Sequence, residues 1–297
     1  MKKILFPLTL TLALTTMAQA EQPGIVVYQS DFGLKDGAVS AMHGVAIEVD
    51  KNLVVEDLTH EIPAYNIWEA SYRLMQTMPY WPEGTVFVSV VDPGVGTDRK
   101  SVVLKTKTGQ FVVTPDNGTL TLVAEHFGID EVRQIDEAVN RRKDSEKSYT
   151  FHGRDVYSFT GARLAANKIT FEEVGELLPA EVWAINYQTV AVDNGKLMGN
   201  IPILDPQYGN VWTSIPGSAF ADYEYGDIFA VEIKNNNEVV YTGEIPYVST
   251  FGDVPDGTPL IYLNSLLDVS IALNMDNFSE VNKVYSGPEW SITLERK

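Results

Sequence analysis

Residues 85–99 read TVFVSVVDPGVGTDR: a run rich in β-branched side chains, then Asp-Pro-Gly, a second glycine and an Asp…Arg pair. Val and Phe fit a pleated, half-buried surface and Asp-Pro-Gly stops it, so the stretch predicts a buried strand feeding a tight turn. The pattern extends outward in both directions. Upstream, GIVVYQS (24–30) and NLVVEDLT (52–59) read as strands, and AVSAMHGVAIEV (38–49) and IWEASYRLMQTM (67–78) carry helical apolar spacing. Downstream, SVVLKT (101–106) and QFVVTP (110–115) predict a hairpin around Thr108-Gly109, and TLTLVAEHFG (119–128) a helix closing on Gly128. Strands alternating with helices predict an α/β N-terminal domain with a central, mostly parallel sheet. After Tyr187 the texture changes to short β runs separated by Asn-Gly, Asn-Asn-Asn and Asp-Gly turns, as in VDNGKLMGNIPILD (192–205) and PLIYLNS (259–265). That spacing predicts a smaller antiparallel C-terminal domain, a β-barrel or sandwich.

The first twenty residues, MKKILFPLTLTLALTTMAQA, combine two lysines, a short apolar core and a small-residue end, the pattern of a cleavable secretory signal peptide. The expected division is therefore a leader over 1–20, the α/β domain over 21–190 and the β-barrel domain over 191–297. The expected location is periplasmic or secreted, with no membrane association after cleavage. The absence of Cys is compatible with an oxidising compartment. The chain has 22 basic and 40 acidic residues; removing Lys2 and Lys3 leaves 20 against 40, a charge of about −20. So acidic a chain is a poor partner for nucleic acid, whose binding relies on clustered Lys and Arg.

The polar residues gather just past predicted strands, in SDFGLKDG (30–37), DLTHEIP (57–63 with its flanks), VVDPGVGTDR (90–99), TPDNG (114–118), TFHGRD (150–155) and LDPQYGN (204–210). Ligands of α/β sheets sit beyond the carboxyl ends of strands. The glycine turn is not a phosphate loop: it lacks both GxxxxGK[ST] and GxGxxG spacing. No GxSxG elbow marks a nucleophilic serine. The histidines 43, 60, 126 and 152 are dispersed and show no HExxH, so no metal site is expected, a hard cation on Asp31, Asp36 and Asp57 being the alternative. What remains is His152, able to exchange a proton near neutrality, with Asp92 to orient an imidazole or water and Arg99 to supply fixed positive charge. On composition alone the favoured reading of His152 is a surface or packed histidine in a loop.

In order along the chain, SDFGLKDG, DLTHEIP, WPEGT (81–85), VVDPGVGT-x-R, TPDNG, TFHGRD, DPQYGN (205–210) and YLNS (262–265) resemble the S-adenosylmethionine (SAM) hydroxide adenosyltransferase family, relatives of the SAM-dependent fluorinase and chlorinase. The resemblance implies an α/β domain followed by a β-barrel domain, assembled as a homotrimer with active sites between neighbouring subunits. It implies hydrolysis of SAM to adenosine and L-methionine by an activated water attacking ribose C5′, with SAM as substrate and no cofactor. It places the water-activating set on Asp92, Arg99 and His152. It places Asp31 on the ribose diol, Asp205 near the methionine amino group, and Tyr208 and Asn210 around adenine. Trp212 and Phe251 fall on flanking aromatics, Phe151 and Tyr65 on pocket walls, Ser265 on the adenine pocket, and Asn117 is carried by TPDNG. The fluorinases have Tyr-Ser where this chain has His152-Gly153 and lose the Asp…Arg turn pair, which favours hydrolysis over halide transfer. A further alternative is an extracytoplasmic nucleoside- or SAM-binding protein without catalysis. The chain departs from many relatives in carrying His43 where they carry Lys, and in reading NSLLDVSIA (264–272) where they have a glycine.

Overall fold

A computed structural model describes residues 24–297. The leader-like segment lies outside the described residues. Among those described, no helix is long and apolar enough to cross a membrane.

The N-terminal part is built on a seven-stranded sheet. Its strands are β1 (Ile25–Ser30), β2 (Val54–Thr59), β3 (Val86–Val90), β4 (Ser101–Thr106), β5 (Phe111–Pro115), β6 (Ile129–Gln134) and β7 (Leu177–Leu178), in the order β2-β1-β3-β5-β4-β6-β7. The four strands β2-β1-β3-β5 pair in parallel, and β4, β6 and β7 extend the sheet antiparallel. The hairpin predicted around Thr108-Gly109 is the β4–β5 pair. β3 is buried along its whole length, as its unbroken apolar run requires of a central parallel strand. Helices α1 (Ala38–Val49) and α4 (Phe159–Ala165) pack with one face, where Val26, Tyr28, Val88, Met42 and Ala162 share a core. Helix α2 (Ile67–Thr77), capped by Asn66 whose side chain accepts from the Glu69 N–H, and α3 (Thr121–Phe127) lie beside each other over the other face, where Val27, Leu74, Phe87, Leu104 and Val123 pack.

The strand pairs of the C-terminal part are all antiparallel. One sheet orders β10 (Ile203–Leu204), β11 (Val211–Pro216), β15 (Asp268–Leu273) and β14 (Pro259–Leu263) as β10-β11-β15-β14. The other orders β8 (Ala191–Asp193), β9 (Lys196–Ile201), β12 (Ile228–Asn235), β13 (Glu238–Pro246) and β16 (Gly287–Arg296) as β13-β12-β16-β9-β8. Alternating apolar residues of both sheets, among them Ile215, Phe229, Ile271 and Leu294, form one core between them. A single parallel bridge between Tyr247, just past β13, and Ile261 of β14 links the two sheets along one side. The two parts meet over α2: Trp68 donates its indole N–H to Pro202 O (2.9 Å) and clusters with Tyr72, Leu122, Tyr187, Ile203 and Trp212.

Candidate active site

The carboxyl end of β3 delivers the site. Val91 is buried, and after it the chain turns through Asp-Pro-Gly, with Gly96 at φ +77°, a conformation that strains any side chain with a Cβ. A Cβ at Gly96 would lie 3.3 Å from Tyr149 O, so the turn packs closely on the loop that carries His152. The return of the turn sets Arg99 against Asp92: Nε donates to Oδ1 at 2.9 Å and Nη2 to Oδ2. Such a fork-on-carboxylate pair fixes both orientation and charge. The Asp92 side chain is 5% exposed.

Two partners of this pair were not read from the sequence. Tyr157 donates its hydroxyl to Asp92 Oδ2 at 3.2 Å, and Ser101 receives Arg99 Nη1 at 3.1 Å. Burial above all, with the Asp92 charge adding, pushes the Tyr157 phenol far above its ordinary range, so it stays protonated and donates. For Arg99, burial works against the charge, but the hydrogen bonds to Asp92 and the nearby Tyr157 and Glu137 outweigh it and raise the pKa. Tyr157 belongs to the same stretch as His152. It faces Asp92 because residues Gly153–Ser158 form a π-helical turn rather than a regular α-helix. An inserted residue of that kind leaves no periodicity that a sequence pattern exposes.

His152 is buried just before that turn. Its Nδ1 lies 3.1 Å from Tyr149 O and its Nε2 3.2 Å from Arg141 Nη2, with Glu137 Oε2 at 3.6 Å. A carbonyl only accepts, so Nδ1 carries the hydrogen it donates to Tyr149, while Nε2 faces both a guanidinium and a carboxylate. Glu137 and Arg141 are joined by an ion pair. The contact with His152 holds the Glu137 carboxyl down to about 2, against burial and with help from Arg141. Neither residue carries a motif, and the sequence offered no signal for them.

A cavity of about 270 Å³ opens over this ground, lined by Asp31, Phe32, Ala64, Tyr65, Val90, Asp92, Val95, Thr150, Phe151, His152 and Gly153. Of the expected site residues it gathers Asp31, Tyr65, Asp92, Phe151 and His152. Arg99 stands behind Asp92 rather than in the wall. Asp31 Oδ2 accepts from the Tyr65 N–H at 2.9 Å, which anchors Tyr65 in a left-handed conformation (φ 70°). Phe151 meets Phe32 edge to face with ring centroids 5.8 Å apart. Asn117 is not in the lining: its amide donates to Val91 O at 2.9 Å and its oxygen receives Thr119, so it braces the ends of β3 and β5.

Within one chain the C-terminal residues lie outside this cavity. Asp205 closes its own turn, accepting from the Gln207 and Tyr208 N–H groups and facing Asn210 Nδ2 at 3.5 Å. Beside it, Tyr262 faces Trp212, Ser270 and Asn210; burial pushes its phenol up to about 12. Phe251 packs on Tyr262 with tilted rings 4.9 Å apart and is partly exposed, and Tyr208 is 65% exposed. Ser265 lines a separate cavity of about 540 Å³ between the two parts of the chain, with Trp68, Tyr72, His126 and Asp268.

The cation trio Asp31, Asp36 and Asp57 is not brought together. Asp31 faces Tyr65, Asp36 Oδ1 accepts from the Ala38 N–H, and Asp57 meets two imidazoles instead. Among the described residues, the group able to hold a metal is His43, Asp57 and His60. The dispersed histidines of the sequence thus converge in part, across α1 and the end of β2.

Residues 26–175 match the family pattern of the SAM hydroxide adenosyltransferase N-terminal domain, and residues 199–291 that of its C-terminal domain. The chain belongs to this family. Among similar proteins of the SAM hydroxide adenosyltransferase group, the (R)-S-adenosyl-L-methionine hydrolase of Methanocaldococcus jannaschii is 32% identical, over 88% of this chain and 92% of its own. That of Thermus thermophilus is 32% identical over 86% and 94%. A fluorinase of Actinopolyspora mzabensis is 26% identical over 93% and 99%. The crystal structure of an uncharacterized conserved protein from Thermotoga maritima superposes with a TM-score of 0.81 at 33% identity, covering 91% of this chain and all of that one.

Proposed function

We propose that the protein hydrolyses SAM to adenosine and L-methionine. The observation that carries this reading is the Asp92–Arg99 pair, buried at the floor of a cavity that also holds His152 and Asp31. The C5′–O bond forms as the C5′–S bond breaks, the bonding pair leaves on sulfur as a neutral thioether, and the water gives up a proton. No acid is needed for the leaving group. The chain's tasks are to orient water, accept its proton and exclude bulk solvent. Asp92 is the group to orient and deprotonate the water, paired with Arg99 and placed by Tyr157. His152 borders the same cavity, its ring held by Tyr149 on Nδ1 and by Arg141 and Glu137 at Nε2, and is a second polar group facing the water. Asp31 suits the ribose diol, and two carboxylates beside a sulfonium favour the cationic substrate.

The relatives include a fluorinase as well as hydrolases, so halide transfer is the competing reaction. A carboxylate in the cavity repels halide, which supports water as the nucleophile. The single-chain cavity falls just short of the roughly 300–1,000 Å³ of typical ligand sites. Meanwhile Tyr208 and Phe251 carry exposed aromatic surface beside Asp205. We therefore propose that the functional form is a homotrimer in which a neighbour's Asp205, Tyr208, Asn210, Trp212, Phe251 and Ser265 complete the site. The leader-like pattern of residues 1–20 supports export from the cytoplasm. Incubation of the purified protein with SAM, with and without chloride or fluoride, tests the reaction. Adenosine and methionine are expected, unchanged by halide. Binding of SAM without product would show a non-catalytic nucleoside-binding protein, and a 5′-halo-5′-deoxyadenosine would show a halogenase.

A further inference from the structure

Outside the proposed active site, two imidazoles of different elements converge on one carboxylate oxygen. His43 Nε2, from the middle of α1, lies 2.7 Å from Asp57 Oδ1 of β2, and His60 Nε2, from the loop after β2, lies 2.9 Å from the same atom. The three atoms all fall within 4.8 Å of one another. Among the described residues no Lys or Arg pairs with Asp57; its charged partners are these two histidines. We propose that His43, Asp57 and His60 form a binding site for a divalent transition metal, zinc foremost.

The donor set decides the class. Two imidazole nitrogens and one carboxylate suit zinc and its first-row neighbours, whereas calcium and magnesium take oxygen. Bonds of roughly 2.0–2.1 Å from a tetrahedral centre place ligand atoms about 3.3 Å apart, so the two imidazole–carboxylate separations of 2.7 and 2.9 Å need open by about half an ångström. The site also has the outer support that ligating histidines require. His60 is buried and its Nδ1 lies 2.6 Å from Ser30 Oγ. With Nδ1–H donating to that hydroxyl, the Nε2 lone pair points at Asp57 and the metal. His43 and Asp57 are partly exposed, at 27% and 39% of their side chains, which leaves an entry path and a fourth position for water. Where an imidazole donates Nε2–H to Asp57 in the metal-free protein, metal binding moves that hydrogen to Nδ1 and leaves the ring neutral.

The site has a structural address. Ser30 ends β1 immediately before Asp31, and His60 O accepts the Gly33 N–H at 2.8 Å. A bound ion would tie α1, β2 and the Asp31 loop together.

Protein stripped with a chelator and dialysed is titrated with zinc by calorimetry and with cobalt(II) by visible absorption. One equivalent is expected to bind, with the intense ligand-field bands of a four-coordinate cobalt site. His43→Asn is expected to weaken binding by about 100-fold or more; His43→Lys, which can still pair with Asp57 but cannot ligate, by as much; and Ser30→Ala by about 10–100-fold. His126→Asn should bind like the parent. Absence of binding by the parent chain overturns the proposal, as does unchanged binding by both folded His43 variants. The readout is the metal itself, so its failure and that of the hydrolase reading are separate results.

Discussion

Asp92 accepts from Arg99 on both oxygens and from Tyr157 on one, which leaves its remaining lone pairs to face the cavity. Replacing it by Asn keeps the shape and removes the proton acceptor. Asp92→Asn is expected to lower kcat by about 10²–10⁴-fold with KM changed far less, measured by adenosine formation. Arg99→Lys should fall in the same direction, because an ammonium cannot hold both carboxylate oxygens in the planar fork. A second residue gives a prediction of opposite character. Burial pushes the Asp268 carboxyl up to about 6, with the more distant His126 pulling the other way. A raised folded-state pKa means that the fold favours the protonated acid, so stability is lost as pH rises from about 4 through about 6. Asp268→Asn cannot lose that proton. Its melting temperature should exceed that of the parent chain by a few degrees at pH 7–8, and the gain should vanish near pH 4.

At the scale of elements, the π-helical turn and α4 set how closely the His152 segment approaches β3. Gly161 of α4 lies against that strand: a Cβ there would come within 2.6 Å of Val88 Cγ2. Gly161→Ala should therefore cost about 1–3 kcal/mol by overpacking, read as a lower denaturation midpoint in urea. The alternation of strands and helices was legible because β1 and β3 are long apolar runs and α2 carries a capping Asn66 before its apolar stripe. Asp92, Arg99 and His152 stood out once other motifs were excluded, but each alone is an ordinary turn or loop residue, and their joint role came from the family pattern. Tyr157, Glu137 and Arg141 were not, because they reach the site through a π turn and a loop that no periodicity announces. The convergence of His43 with His60 was hidden for a related reason. It depends on α1 crossing the end of β2, which is tertiary geometry rather than spacing.

At the scale of the molecule, the chain presents two half-surfaces. The cavity on the α/β part is lined by Asp31, Asp92 and His152, while Asp205, Tyr208, Asn210 and Phe251 of the C-terminal part lie outside it. If a neighbouring copy supplies the second half, mixing two inactive variants must restore activity. Asp92→Asn and Asp205→Asn, each inactive, should on dissociation and joint reassembly form some sites with neither defect. Recovery of a fraction of parental turnover is expected, with a trimer mass by ultracentrifugation; no recovery in mixed trimers would place both residues in one chain's own site. The claim beneath all of these is that water, activated at Asp92, attacks C5′. Turnover of SAM in ¹⁸O-enriched water tests it most directly. The account predicts one ¹⁸O atom in adenosine and none in methionine, while an absence of product, or adenosine without the label, would contradict it.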